Sequence, residues 1–113
     1  ARGWLALESA LALGEAAGGR FRLGWRQGPR VADLPVVAVR SNQAERWLAM
    51  TWFDRTFALI GNPRHPCVHA DPALPDLAPG DGAEARGELI FFEGALADLE
   101  TAFRRRWAAA AAG

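Results

Sequence analysis

At 113 residues and 12.2 kDa, the chain has room for one ordinary domain and no second core. Half of it is hydrophobic, with five Trp and six Phe, enough to fold without staples, and its 13 Arg balance 13 acids, so no net field draws it onto nucleic acid. Lys and Tyr are absent, which excludes lysine nucleophiles and phosphate-loop lysines, and Cys67 is alone, which excludes an intramolecular disulfide.

Residues 4–17 are good helix formers with Trp4, Leu5, Leu7, Leu11 and Leu13 in a broad apolar stripe, and Gly18 and Gly19 follow as a stop. The pattern predicts an N-terminal helix. In residues 20–26, Phe21, Leu23 and Trp25 alternate with Arg20, Arg22, Gly24 and Arg26, the period of a half-buried strand. Gln27, Gly28 and Pro29 make a turn, and Pro35 introduces the β-branched run 36–39, a buried strand ending at Ser41 and Asn42.

Residues 45–60 fit two patterns. A helical stripe can be drawn through Trp47, Met50, Phe53 and Phe57, but Thr51, Trp52, Phe53, Thr56, Phe57 and Ile60 favour sheet. Two strands, 47–53 and 56–60 around an Asp54-Arg55 turn, are the preferred reading. Five of the seven prolines fall in residues 62–80, which predicts a structured loop. Pro79-Gly80-Asp81-Gly82 is a tight turn, and residues 84–92 supply the last strand. After Gly94, the positions Leu96, Leu99, Ala102, Phe103 and Trp107 mark an amphipathic C-terminal helix with Arg104, Arg105 and Arg106 in its later turns. The alanine tail 108–113 is expected to fray.

The order helix, four or five strands, helix predicts an α+β fold, mainly an antiparallel β-sandwich with a helix at each end. The expected core is Leu23, Trp25, Val37, Val39, Leu48, Met50, Trp52, Leu89, Phe91, Leu99 and Phe103. No apolar run reaches the ~18 residues of a membrane span, so a soluble chain is expected, with no membrane partner and no compartment assigned. Residues 1–113 read as a single domain, either whole or a fragment of a larger protein. The Ala, Gly, Arg and Pro bias is that of a GC-rich, bacterial-type coding sequence.

His65, Cys67 and His69 form the densest group of metal-capable side chains. In an extended segment their spacing of two aims all three to one face, with Asp71 as a fourth ligand for zinc or copper. The plainer reading is a proline-bounded loop whose histidines bond to backbone and whose Cys67 packs as a small hydrophobe. The same residues allow a Cys67–His69 nucleophile and base, or a His65 or His69 pair with Asp54, Asp71, Glu88 or Glu93 for proton transfer. Residues two apart on a strand rarely make the first pairing. The glycine pairs lack a phosphate-loop pattern, and no cofactor is expected.

Trp25, Trp47, Trp52 and Trp107 are numerous enough for one or more rings to meet a sugar face or a partner's apolar surface, although core is the default for each. Arg20, Arg22, Arg26, Arg30 and Arg40 could line a cationic sheet face. The runs 47–54, Gly61-Asn62-Pro63, 65–72, Leu77-Ala78-Pro79-Gly80 and 86–94 resemble the closing strands of β-supersandwich proteins related to galactose mutarotases. There a Pro-Gly turn typically precedes a late strand ending aromatic-acid-Gly, here Phe92-Glu93-Gly94. The resemblance covers residues 36–94. It implies carbohydrate recognition or sugar-ring chemistry and, since that fold normally needs well over twice this length, a fragment or reduced relative. No catalytic residue is carried over, and terminal helices depart from the pattern.

The leading expectation is therefore a non-covalent recognition module, carbohydrate-binding or of mutarotase-like type. Its candidate ligand contacts are Trp25, Trp47, Trp52, Arg64, His65, His69 and Asp71. A protein interaction module or subunit of a homo-oligomer is one alternative. A small enzyme, metal-dependent through His65, Cys67, His69 and Asp71 or acting through a His/Asp pair, is the other; whether the chain is catalytic stays open.

Overall fold

The computed structural model describes residues 4–6, 21–26, 28, 30–40, 45–62 and 67–113. Within them the chain runs β1 (Trp4–Ala6), β2 (Phe21–Gly24), β3 (Val36–Arg40), β4 (Arg46–Thr51), a 3-10 turn (Phe53–Arg55), β5 (Thr56–Asn62), β6 (Cys67–Pro72), β7 (Glu88–Glu93) and α1 (Leu96–Ala112). The strands form two antiparallel sheets, one ordered β1-β3-β4-β7 and the other β2-β5-β6. The protein is thus α+β, with two small sheets and a C-terminal helix.

Strand alternation gives the four-stranded sheet two apolar faces. The register Val36↔Thr51, Ala38↔Ala49 and Ala49↔Ile90 puts Val36, Ala38, Ala49 and Ile90 on one face, where Leu34, Trp47, Phe53, Leu99 and Phe103 join them in one buried cluster. Val37 lies on the opposite face and clusters with Leu23 and Leu59 of the second sheet, flanked by Val39, Met50, Val68 and Ala70. The four-stranded sheet therefore has α1 on one side and residues of the second sheet on the other.

The helix forms because its apolar residues recur at three and four, and it packs where the sheet offers small residues. Ala38 and Ala49 are cross-strand partners with no exposed surface. They share one buried cluster with Phe103, whose ring stacks on Phe53 at 6.2 Å and 11° and lies 5.7 Å from Trp107. Asp98 sits in the first turn, where a carboxylate complements the helix N-terminus. The alanine tail expected to fray is helical to Ala112. Alanine has the best intrinsic helix propensity, which explains the continuation without tertiary packing.

Residues 45–60 fold as two strands. What holds the turn between them is a buried hydroxyl network: Thr51 Oγ1 donates to the Pro35 carbonyl at 2.6 Å and accepts the Phe53 N–H at 2.8 Å. Thr56 Oγ1 accepts the Trp52 N–H at 3.1 Å and donates to the same Pro35 carbonyl at 3.3 Å. Phe53 is held there at φ 52°, a left-handed conformation that L side chains rarely adopt.

Three expectations are corrected. Residues 4–6 of the expected N-terminal helix are strand β1, paired with Val37, Ala38 and Val39; the rest of that span lies outside the described residues. The β-branched β3 offers an open edge, and ladder hydrogen bonds there outweigh the helix propensity of three residues. The proline-rich loop contains β6, which tolerates Pro72 because it is an edge strand with the proline at its end. Of the expected core, Leu23, Val37, Leu99 and Phe103 are buried, Trp25, Val39, Leu48, Met50 and Trp52 are half-buried, and Leu89 and Phe91 are 59% and 79% exposed. Strand β7 buries the other half of its alternation, Ile90, because the second sheet reaches over β3 and β4 and stops short of β7. No described helix is long and apolar enough to cross a membrane.

Candidate functional site

The candidate residues chosen from sequence fall in separate places. Trp47 is 6% exposed beneath α1, and its indole N–H donates to the Gly94 carbonyl at 2.9 Å. Trp52 is half-buried, with its N–H given to the Ala70 carbonyl at 2.6 Å. His69 and Asp71 alternate with Val68 and Ala70 on β6, so they occupy its outer face. There His69 stands across from Ile60, whose other neighbour is Arg22, and Asp71 across from Ala58. His69 is exposed and Asp71 half-buried.

Of the proposed metal set, only His69 and Asp71 have described side chains. Arg64 and His65 lie outside the described residues, and the backbone of Cys67 pairs with Asn62. No group of three or more His, Cys, Asp or Glu that could hold a metal ion occurs among the described residues.

The structure assembles a different group around Asp54, in the 3-10 turn. Asp54 Oδ1 accepts two hydrogen bonds, from Arg26 Nη2 at 2.9 Å and from Trp107 Nε1 at 3.1 Å. Arg26 lies 5.2 Å from the Trp25 ring centroid, and Trp25 meets Trp107 edge to face at 5.5 Å. These contacts join the end of β2, the 3-10 turn and the penultimate turns of α1. Asp54, Arg104, Trp107, Ala108 and Ala111 line a shallow depression of about 380 Å³. Its lining supplies a carboxylate, an indole, two methyl groups and the Arg104 guanidinium, whose Nε donates to Glu100 Oε2 at 2.9 Å.

Two of the non-glycine residues at this site carry positive φ, Arg26 at 68° and Phe53 at 52°. Each costs roughly 1–3 kcal/mol and is retained where surrounding contacts fix it. For Phe53 those contacts are the buried threonines and the Phe103 stack. For Arg26 they are the Asp54 ion pair and the Trp25 ring. Trp25 Nε1 is buried and meets no acceptor among the described residues.

Of this group, sequence reading singled out only Trp25 as a ligand contact. Asp54 was read as a turn residue and as one of four carboxylates that could pair with a histidine, Trp107 as a stripe position and one of four rings that could meet a sugar face, and Arg104 as a late-helix cation. Nothing local joins them, because Asp54 and Trp107 are 53 residues apart. The one available signal is the mismatch at Arg26, a residue other than glycine closing an alternating strand into a turn.

A second concavity, about 320 Å³, opens between β6 and the start of β7, lined by Met50, Thr51, Trp52, Ala70, Gly87, Glu88 and Leu89. Gly87 admits the close passage of the chain there. A Cβ on it would run into the Thr51 carbonyl oxygen and come within 2.8 Å of the Trp52 ring. This groove is almost wholly apolar and lacks the convergent polar groups of the Asp54 depression.

No family model, no curated protein and no solved structure matches this chain.

Proposed function

We propose that this chain is a non-covalent recognition module that takes a carbohydrate at the Asp54 depression. The observation carrying this reading is the double anchoring of Asp54 Oδ1 by Arg26 and Trp107. It fixes a carboxylate beside an indole ring without consuming Oδ2, which accepts nothing among the described residues. A sugar presents hydroxyl donors around its rim and a C–H face that is apolar. The carboxylate suits the hydroxyls, Arg104 can donate to ring or hydroxyl oxygens, and the Trp107 ring with the Ala108 and Ala111 methyls suits the face.

The reading keeps Trp25 as the support behind Trp107 and moves the site away from Trp47 and Trp52, whose indole N–H groups are already given to backbone carbonyls. It also treats the two sheets as the layers of a β-sandwich, supported by the apolar residues they share, and so agrees with the mutarotase-like resemblance of residues 36–94. The test is isothermal titration against a glycan panel, with Asp54→Ala and Trp107→Ala as variants. At least one glycan should bind, and loss of the charged hydrogen bond should weaken it about 10- to 100-fold. Absence of binding to every member, or equal binding by both variants, would refute the site.

A further inference from the structure

We infer that β7 is a dimerisation edge, at which two copies of this chain pair antiparallel through a two-fold axis at Phe91. The inference uses a surface separate from the Asp54 depression and does not rest on the carbohydrate reading.

Backbone geometry supplies the first part. The Gly94 N–H donates to the Glu45 carbonyl at 2.8 Å, and the register Arg46↔Glu93 through Thr51↔Glu88 continues from it. In an antiparallel ladder, hydrogen-bonded pairs alternate along the strand. Residues 88, 90, 92 and 94 therefore face β4, and the N–H and C=O groups of Leu89, Phe91 and Glu93 face outward. Among the described residues β7 is the last strand of its sheet and nothing pairs with that side.

The four sheet edges differ in how they are protected. Strand β1 is three residues long, β2 is four with Arg22 inside it, and β6 carries His69 and Asp71 and ends at Pro72. Short length, charge and proline are the usual devices that stop an edge from pairing. Strand β7 has none of them along its middle. Its six residues, ELIFFE, place four apolar side chains in a row, and Leu89 and Phe91 are 59% and 79% exposed beside half-buried Leu48 and Met50.

The distribution of charge suits a second copy as the occupant. Both acids of β7 are at its ends. A two-fold register centred on Phe91 sets Glu93 across from Leu89 of the other copy and Glu88 across from Gly94, so no acid opposes an acid. In a parallel in-register pairing the glutamates would face each other. Glu93 is already met by Arg46 at 3.4 Å on its own sheet, and the chain has no net charge to oppose association. The pairing makes about six ladder hydrogen bonds, brings the two Phe91 rings together and joins the four-stranded sheets into one of eight.

The experiment is sedimentation equilibrium on the full 113-residue chain from micromolar to millimolar, with amide hydrogen exchange at both limits and Phe91→Lys as the variant. The wild type should reach twice the 12.2 kDa chain mass. The Leu89, Phe91 and Glu93 amides should exchange at least about tenfold more slowly in the concentrated sample, as expected for newly formed ladder bonds. The variant, which places two cations across the axis, should stay at the single-chain mass. A wild type that stays monomeric overturns the inference. So does a dimer in which those three amides remain fast, since it would use another surface, or one that Phe91→Lys leaves intact. The exchange result on wild-type protein stands independently of how the variant folds.

Discussion

Truncation of Phe103 to alanine tests whether α1 belongs to the same cooperative core as the sheets. Phe103 has no exposed surface, and its ring is enclosed by Phe53, Trp107, Leu99 and the small pair Ala38 and Ala49. The Ala38 and Ala49 methyls of the same cluster cannot swing inward to fill the space, and Phe53 and Trp107 are held by hydrogen bonds of their own, so a cavity should remain. Phe-to-Ala changes at such sites cost about 3–5 kcal/mol. For a 113-residue chain the unfolding entropy is about 0.24 kcal/mol per kelvin, so Tm should fall by roughly 13–21 °C. Total stability at this size is about 6–17 kcal/mol, which leaves the variant folded at room temperature if the wild type lies in the middle of that range.

The assay is thermal unfolding of dilute protein, followed in parallel by far-ultraviolet circular dichroism and tryptophan fluorescence. The two signals should coincide in the wild type and shift together in the variant. Phe91→Ala is the matched control. It removes the same side chain from a 79% exposed position and should change stability by no more than about 0.5 kcal/mol, or about 2 °C. A fall of less than about 5 °C for Phe103→Ala, or a helix signal that melts apart from the sheet signal, would refute the placement of α1 in the core.

Thr51→Val should lower stability by about 1–3 kcal/mol in urea unfolding, because it leaves the buried Phe53 N–H without its acceptor at a residue already held at φ 52°. Thr51→Ser, which keeps the hydroxyl, should recover a large part of it. Gly87→Ala should cost about 1–3 kcal/mol and shift the Trp52 fluorescence, since the new methyl meets backbone oxygen on one side and the indole on the other. Asp54→Asn should leave stability within about 1 kcal/mol, because the Arg26 pair is half-exposed, while weakening glycan binding in titration. A loss of several kcal/mol in a melt would instead make Asp54 structural. Glu93→Ala should be neutral within about 0.5 kcal/mol by the same assay, its partner Arg46 being equally exposed at 3.4 Å.

The sequence alone determined what depends on neighbours along the chain. The alternation of Phe21, Leu23 and Trp25, the β-branched run after Pro35 and the spacing of Leu96, Leu99, Phe103 and Trp107 each report a local period, and each became the expected element. The turn at Asp54-Arg55 was legible for the same reason. Tertiary structure decided everything that depends on which surface covers which. Alternation in β7 says that two faces exist, not which is buried; that was set by the width of the second sheet, which ends before it reaches Leu89 and Phe91. Residues 4–6 carry helix propensity of a few tenths of a kcal/mol each, and an available edge on β3 outweighs it. Strand β6 was hidden by the prolines around it and by Pro72 at its end, which an edge position tolerates and a central one does not. The Asp54 site has no local signature beyond Arg26 in the turn after β2, because its carboxylate, guanidinium and indole come from three elements and meet only once the turn of buried threonines and the Phe103 stack have fixed where they point.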